Sequence, residues 1–190
     1  MKPARKSATY DDLCRVPEHK VAEILDGELF VSPRPATPHA RASSFLGAEL
    51  IGGFDGPPGD DLPGGWWFLI EPELHFGADV LVPDLAGWRR ARMRTIPNVA
   101  AITDPPDWVC EVLSPSTARI DRARKMRIYA REGVGHLWLL DPIIRTLETY
   151  RLTEGSWMMV ATYEGDDAIH AEPFDAIALT MRRWWLETEG

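Results

Sequence analysis

An acidic residue, Glu111, stands inside the otherwise apolar run 108–113 (WVCEVL), whose composition is typical of a buried β-strand. Moving an ionised carboxylate into an apolar setting costs several kcal/mol unless a paired cation, a bound metal ion or a raised pKa compensates it. Alternation along the strand puts Glu111 on the same face as Val109 and Leu113. The fold must therefore bring a compensating group to this position. The candidates are Asp84 upstream and the basic segment 119–131 downstream.

The net charge of −8 argues against a general nucleic-acid binder, but the charge is distributed unevenly. Residues 89–131 carry ten Lys and Arg against four Asp and Glu, an excess of six positive charges, and the rest of the chain has an excess of fourteen negative charges. The basic segment surrounds Glu111, where a phosphate backbone would need positive charge. The alternative is an ordinary solvated surface, because helices expose lysine and arginine whatever their function.

The length of 190 residues and the 45% hydrophobic content predict one folded domain over residues 1–190. No apolar run reaches the ~18 residues that a membrane span needs, and the basic N-terminus is not followed by the apolar segment of a secretory signal. The two cysteines, Cys14 and Cys110, make no disulfide framework, and we interpret Cys110 as a small core residue. These features predict a cytoplasmic protein without membrane partners.

Turn and cap signals divide the chain into strands and helices. The pair Asp26-Gly27 favours a tight type I′ turn, so residues 21–31 predict a β-hairpin, and Thr9 with Asp12 predicts a helix N-cap. Helices are also predicted at 40–51, 119–132 and 174–186, and an exposed loop at 52–65. Strands are predicted at 66–76, where Pro72 indicates an edge or a bulge, and at 80–82 (continued by 85–88), 108–113, 137–140, 146–152 and 157–163. This order predicts an α/β or α+β domain, with a mixed β-sheet flanked by helices.

The basic helix contributes a lysine to the candidate site. Asp121, Lys125 and Tyr129 are four residues apart and share one face of the predicted helix, so Asp121 and Tyr129 are accessory candidates beside Lys125. Taken singly, Lys125 also fits an exposed i,i+4 ion pair, Glu111 a buried salt bridge, and Asp84 a turn residue.

The three residues together predict metal-assisted hydrolysis. Carboxylate and carbonyl oxygens are the ligands that hard divalent cations prefer, so Asp84, Glu111 and the main-chain carbonyl of Val112 are candidate ligands for Mg²⁺ or Mn²⁺. Such an ion lowers the pKa of a bound water and neutralises charge on a phosphate. A lysine beside that water stabilises the hydroxide or the scissile phosphate. Hydrolysis of DNA needs this combination, because an anion must attack an anion.

Longer motifs carry a resemblance to one bacterial family. They are Pro-Asp at 83–84, the segment 106–117 around Glu111, the Asp121, Lys125 and Tyr129 series, the segment 133–142, and, near the start, 23–29 and the Pro33, Pro35 and His39 stretch. From about residue 9 to 185, the chain resembles the restriction endonuclease family formerly called domain of unknown function 820, in the PD-(D/E)XK nuclease superfamily.

The resemblance implies a restriction-endonuclease-like core and an ion, Mg²⁺ or similar, held by Asp84 and Glu111. The superfamily lysine stands two residues after the acid on the same strand, where this chain has Leu113. The resemblance therefore implies that Lys125 reaches back from the next helix to replace it. Glu23 and His39 are further accessory candidates, Glu23 to contact the metal ion or orient Lys125 and His39 to touch a phosphate or transfer a proton. Both also fit structural roles.

Two functions remain open. The first is a Mg²⁺-dependent endonuclease that hydrolyses DNA, with backbone phosphates bound by Arg119, Arg122 and Arg124. The second is a catalytically silent nuclease-fold module that binds nucleic acid or protein, which the acidic net charge and the missing strand lysine favour. A two-carboxylate glycosidase is a third hypothesis, but the eight tryptophans fit core strands as well as sugar platforms. A homodimer is also predicted, because cutting both strands usually needs two active sites and Trp66-Trp67 and Trp184-Trp185 could be buried against a second subunit.

Overall fold

The computed structural model describes residues 7–59 and 61–187. The helices in these residues are α1 (Tyr10–Cys14), α2 (Thr37–Phe54), α3 (Ala118–Ile120) and α4 (Met126–Arg131), with a π-helical segment at Asp121–Lys125 and a 3-10 helix at Met181–Trp184. The strands are β1 (Lys20–Leu25), β2 (Glu28–Pro33), β3 (Trp66–Ile70), β4 (Leu74–Phe76), β5 (Asp79–Leu81), β6 (Leu85–Arg89), β7 (Trp108–Val112), β8 (His136–Asp141), β9 (Thr146–Thr153), β10 (Ser156–Glu164), β11 (Ala168–Ile169) and β12 (Leu179–Thr180). None of the described helices has the length and apolar character to cross a membrane.

Two main sheets form the scaffold, so the predicted mixed sheet flanked by helices is confirmed. The larger sheet has the strand order β10-β9-β8-β7-β6-β3, and the smaller has the order β2-β1-β5-β4. All neighbours in the larger sheet are antiparallel except β7 and β8, which run parallel. The carboxyl ends of β7 and β8 therefore meet at one edge of the sheet.

Local turn and cap signals form as the sequence predicts. Asp26 and Gly27 have φ values of 53° and 76°, the two positive values that a type I′ turn requires, and they join β1 to β2. The Thr9 side chain accepts a hydrogen bond from the Asp12 backbone, and the Asp12 carboxylate accepts one from the Thr9 backbone. This capping box fixes the start of α1.

Strand β7 separates two apolar clusters, as its alternation predicts. Cys110 and Val112 pack on the side that is covered by α2, within the cluster that includes Leu46. Val109 and Leu113 pack on the opposite side, with Tyr129 of α4. Glu111 therefore points towards α4 and the π-helical segment, and away from the side that α2 covers.

Three local predictions are wrong, each because packing between distant residues decides the structure. The strand predicted at 66–76 divides at Glu71, whose φ is 48°, and its two parts join different sheets. Residues 85–88 form β6 of the larger sheet and do not continue β5. The tail 174–186 is not one helix but contains β12 and a 3-10 helix, since Phe174 and Trp184 are both drawn into the core.

The tryptophans that were candidates for a subunit interface are mostly buried within the chain. Trp66, Trp184 and Trp185 belong to the larger apolar cluster. Trp67 is half-buried, and its indole N–H donates to the Met93 carbonyl at 3.0 Å. These side chains therefore give no support to the predicted homodimer.

Candidate active site

Asp84 lies where the chain leaves the smaller sheet and enters the larger one. It follows β5 and directly precedes β6, which pairs with β7. One carboxylate oxygen, Oδ2, accepts the backbone N–H of Val112 at 2.7 Å. The other, Oδ1, lies 3.1 Å from Nε2 of His39. Both oxygens are thus held in place at the end of β7.

Glu111 meets a cation and a phenol. Lys125 Nζ lies 2.8 Å from each of its carboxylate oxygens, and the Tyr129 hydroxyl donates to Oε1 at 2.5 Å. Burial raises the pKa of Glu111 well above its usual range, the Lys125 ammonium opposes the shift, and the neighbouring acids add to it. Because the ammonium and the hydroxyl both donate to it, the ionised carboxylate has the partners that its burial demands.

Lys125 is surrounded by oxygen atoms. Its Nζ lies 2.9 Å from a Glu23 carboxylate oxygen, 3.8 Å from an Asp121 oxygen and 3.4 Å from the Val82 carbonyl, in addition to Glu111. Burial alone would lower the pKa of Lys125, but Glu111 and Glu23 raise it well above its ordinary value. The ammonium therefore stays charged although the side chain is only 3% exposed.

The helix that carries Lys125 is not regular. From Asp121 to Lys125 it is π-helical, and the Met126 N–H donates to the carbonyl of Asp121, five residues back. Such a widened turn is rare and is found often at functional sites. Asp121, Lys125 and Tyr129 are all buried, with Lys125 and Tyr129 in contact with Glu111 and Asp121 beside Lys125. The predicted common face is therefore present, although the helical turn that carries it is wider. The i,i+4 spacing alone did not predict this irregularity.

His39 stands at the start of α2, near Pro38, which occupies the first turn of the helix. Burial lowers the pKa of His39, but the hydrogen bond with Asp84 and the charges of Asp84, Asp121 and Glu71 together raise it above its ordinary value. The other ring nitrogen, Nδ1, is buried and has no hydrogen-bond partner among the described residues. His39 therefore contacts the candidate metal ligand directly.

A cavity of about 260 Å³ collects these groups. Its lining includes Asp84, Glu111, Lys125, Glu23, His39, Asp121 and Val112, so seven of the candidate residues meet at one place. Sequence reasoning did not select two charged residues of the lining, Arg34 and Glu71. Arg34 lies within the Pro33, Pro35 and His39 stretch but was not singled out, and Glu71 lies in a connecting segment without a motif. By formal charge, counting every acid as ionised and His39 as neutral, the five acids of the lining outnumber Arg34 and Lys125 by three.

The three arginines that were candidates for phosphate binding do not line this cavity. Arg122 forms a two-bond ion pair with Glu148, at 2.7 and 2.8 Å. Arg124 pairs with Asp26 and Glu28 of the β1–β2 hairpin. Arg119 is exposed. The guanidinium groups of Arg122 and Arg124 are therefore occupied by carboxylates of the same chain.

The donor set fits a hard divalent cation with few protein ligands. In residues 7–59 and 61–187, no three His, Cys, Asp or Glu side chains are placed to hold one metal ion together. Mg²⁺ usually binds one or two carboxylates and keeps several waters, so Asp84, Glu111 and a main-chain carbonyl are sufficient in number. The excess negative charge of the cavity also favours a cation.

Replacing Asp121 by Asn should stabilise the protein at neutral pH by up to about 3 kcal/mol. Burial raises the pKa of Asp121 from 3.8 to about 6, opposed by Lys125 and by a hydrogen bond from Thr117. Because the folded state holds this proton more tightly than the unfolded state, wild-type stability falls as the pH rises between those two values. The Asn variant lacks this titration, so its advantage should grow across the same range.

Urea unfolding at several pH values between about 4 and 7 measures this difference. Asp61→Asn, at an exposed position, is the matched control. A stability difference between Asp121→Asn and wild type that shrinks as the pH rises would contradict the expectation.

A mixed sheet flanked by helices, with two acids and a lysine gathered beside the end of a central strand, is the arrangement of the restriction-endonuclease-like class. The chain belongs to the Uma2 family, which is described as "Putative restriction endonuclease" and whose model matches residues 7–182. Among solved structures, the chain resembles "a putative nuclease belonging to DUF820" from Anabaena variabilis, with a TM-score of 0.73 and 20% identity over 93% of this chain and 97% of that one. That likeness establishes the fold, and the predicted family and fold class are confirmed. No curated protein matches the sequence.

Proposed function

We propose that this protein is an endonuclease that hydrolyses DNA phosphodiester bonds with the help of Mg²⁺ or Mn²⁺. The observation that carries the proposal is the contact of Lys125 with Glu111, at 2.8 Å, in a cavity that both residues share with Asp84. The family description and the nuclease whose fold the chain shares support a nuclease function and hence a nucleic-acid substrate.

Asp84, Glu111 and the Val112 carbonyl would hold the ion, which supplies a water of lowered pKa and neutralises phosphate charge when it is bound. The chain's own groups fix the geometry. The Val112 N–H and His39 hold the Asp84 carboxylate from both sides, which limits its rotation. Lys125 carries a permanent positive charge into the cavity, where it stabilises the attacking oxygen or the anionic phosphate.

The position of Lys125 accounts for the missing strand lysine. Leu113 occupies the superfamily position and packs in the apolar cluster with Val109, where a lysine would bury its charge among hydrophobic side chains. The π-helical segment faces the same side of β7 as Glu111, and it brings the Lys125 ammonium group to the Glu111 carboxylate. Glu23 contacts this ammonium and orients it.

Metal dependence tests the proposal. Purified protein should nick supercoiled plasmid DNA with Mg²⁺ or Mn²⁺, stop when EDTA is added, and resume when excess Mg²⁺ is restored. Cutting that continues in EDTA would contradict a metal-dependent mechanism. Failure to cut plasmid, linear duplex or single-stranded DNA with either ion would overturn the nuclease proposal.

A catalytically silent module for nucleic-acid or protein binding is the second candidate. It is favoured by the contacts of Glu111, since Lys125 and Tyr129 take up both of its carboxylate oxygens. Calorimetry with Mn²⁺ separates the two candidates: the nuclease should bind the ion and lose that binding in Asp84→Asn, whereas the silent module should show no binding. The homodimer and the cytoplasmic location remain predictions.

A further inference from the structure

A second cavity, here called the arginine cleft, has a volume of about 430 Å³ and a basic lining. Its charged residues are four arginines and two acids, namely Arg41, Arg145, Arg182, Arg183, Asp166 and Glu187. The lining therefore has an excess of two positive charges on a chain whose net charge is −8. This local reversal of sign favours an anionic ligand.

Arg41 has a fixed orientation and unused donors. Its guanidinium carbon lies 3.6 Å from the centre of the Phe45 ring, so stacking holds the group in place. Its Nε is buried and has no hydrogen-bond partner among the described residues. Arg41 is half-buried and lines the cleft, so the terminal nitrogens of its guanidinium group, which also lack a partner among the described residues, are available to a ligand oxygen.

The other arginines are accessible to a ligand. Arg182 is exposed and has no ion pair with any described residue. Arg145 lies 3.7 Å from Asp166, and Arg183 lies 3.3 Å from Glu49. The pair with Asp166 is weak and largely exposed, so Arg145 can exchange its partner for a phosphate. Arg183 keeps its contact with the largely buried Glu49, but its own side chain is 60% exposed and has further N–H donors for a ligand.

The cleft and the candidate active site lie at the same edge of the larger sheet. Parallel strands β7 and β8 end there together, with Val112 paired to Leu140. The chain after β7 lines the active-site cavity, and Arg145, on the turn after β8, lines the cleft. Helix α2 contributes to both, because His39 lines the cavity and Arg41, two residues later and hence on the other side of the helix, lines the cleft.

We propose that the arginine cleft binds the phosphate backbone of the DNA whose scissile bond lies in the active-site cavity. This inference rests on the proposed nuclease function and assigns the phosphate contacts to a surface other than that of Arg122 and Arg124. Arginine suits the task, since its planar donors match two phosphate oxygens at once and its charge does not titrate. A cleft that reads only phosphates positions DNA without selecting a base sequence.

Binding of a short fluorescein-labelled duplex, measured by fluorescence anisotropy in EDTA over a range of salt concentrations, tests the cleft. The double variant Arg145→Ala/Arg182→Ala should lower the slope of log affinity against log salt by about 1.8, since each lost phosphate contact removes about 0.9. Between about 50 and 200 mM salt, wild type should therefore lose about 12-fold more affinity than the variant. The single variant Arg182→Glu should also bind the duplex more weakly than wild type.

The matched control removes two exposed arginines that line neither cavity, in Arg15→Ala/Arg127→Ala. It should keep the wild-type slope, and circular dichroism should show that all variants are folded. The proposal that the cleft binds DNA would be overturned if both double variants lost the same affinity, or if the cleft variants lost none. It would also be overturned if the wild type did not bind the duplex. If the protein bound DNA tightly through the cleft but never cut it, the proposed hydrolysis would be overturned, and the proposal that the cleft binds DNA would stand.

Discussion

Replacing Glu111 by Gln should reduce the rate of plasmid nicking at saturating Mg²⁺ by at least about 10²-fold, the loss typical of removing one electrostatic contributor to catalysis. Glutamine has the shape of glutamate, but its amide supplies one neutral oxygen where the carboxylate supplies two charged ones. The variant would lose one of the proposed metal ligands and the negative partner that holds Lys125 at 2.8 Å. Single-turnover nicking, measured with metal ion and DNA in excess, is the appropriate assay.

The fold should survive this change, because Glu23 and Asp121 remain as partners of Lys125. The matched control is Glu132→Gln, whose carboxylate pairs with Arg131 and lines neither cavity. It should cut at the wild-type rate, and both variants should show thermal midpoints close to that of wild type. Wild-type cutting by a folded Glu111→Gln protein would exclude Glu111 from the chemistry.

Local signals in the sequence predicted the parts of the fold that local physics decides. Asp26-Gly27 specifies its turn because few other pairs accept two positive φ values in succession. The alternation around Glu111 predicted which face of β7 the carboxylate would occupy, because strand geometry leaves only two choices. The burial of that charge then required a cation, and the fold supplies Lys125.

The remaining features depend on contacts between residues far apart in the chain. Nothing near Val82 indicates that the chain changes sheets there, since strand pairing is decided by partners many residues away. The π-helical turn spans only five residues, which is too short for a periodic pattern in the sequence to indicate it. The arginine cleft joins positions 41, 145 and 182, which only the packing of the tail on α2 brings together.

The candidate site also shows why stability and chemistry are linked in this protein. The acids that line the cavity outnumber its cations, and burial raises the pKa of both Glu111 and Asp121. Arg34 lies at an exposed position. Among the described residues that line the cavity, Lys125 is therefore the one lysine or arginine side chain that is buried with these acids. Removing the Lys125 ammonium should therefore lower the stability of the protein as well as remove a proposed catalytic group.

Replacing Lys125 by Met should destabilise the protein by about 3–5 kcal/mol, the cost of leaving buried charges without their partner. Methionine has nearly the same length and fills the same space, so the loss is electrostatic and leaves Glu23, Glu111 and Asp121 without the ammonium. For a domain of this size the thermal midpoint should fall by about 6–20 °C. Lys20→Met, at an exposed position, is the matched control and should keep the wild-type midpoint.

The pH dependence of Lys125→Met separates charge from packing. Without the ammonium, the pKa values of Glu111 and Asp121 should rise further in the folded state, so that this state binds protons more tightly than the unfolded chain. The stability of the variant should then be greatest in acid and decrease as the pH rises through those pKa values. Adding Glu111→Gln removes one of the stranded charges, so the double variant should be less destabilised than the sum of the two single changes. Additive losses that do not depend on pH would show that Lys125 fills space in the cavity without compensating its acids.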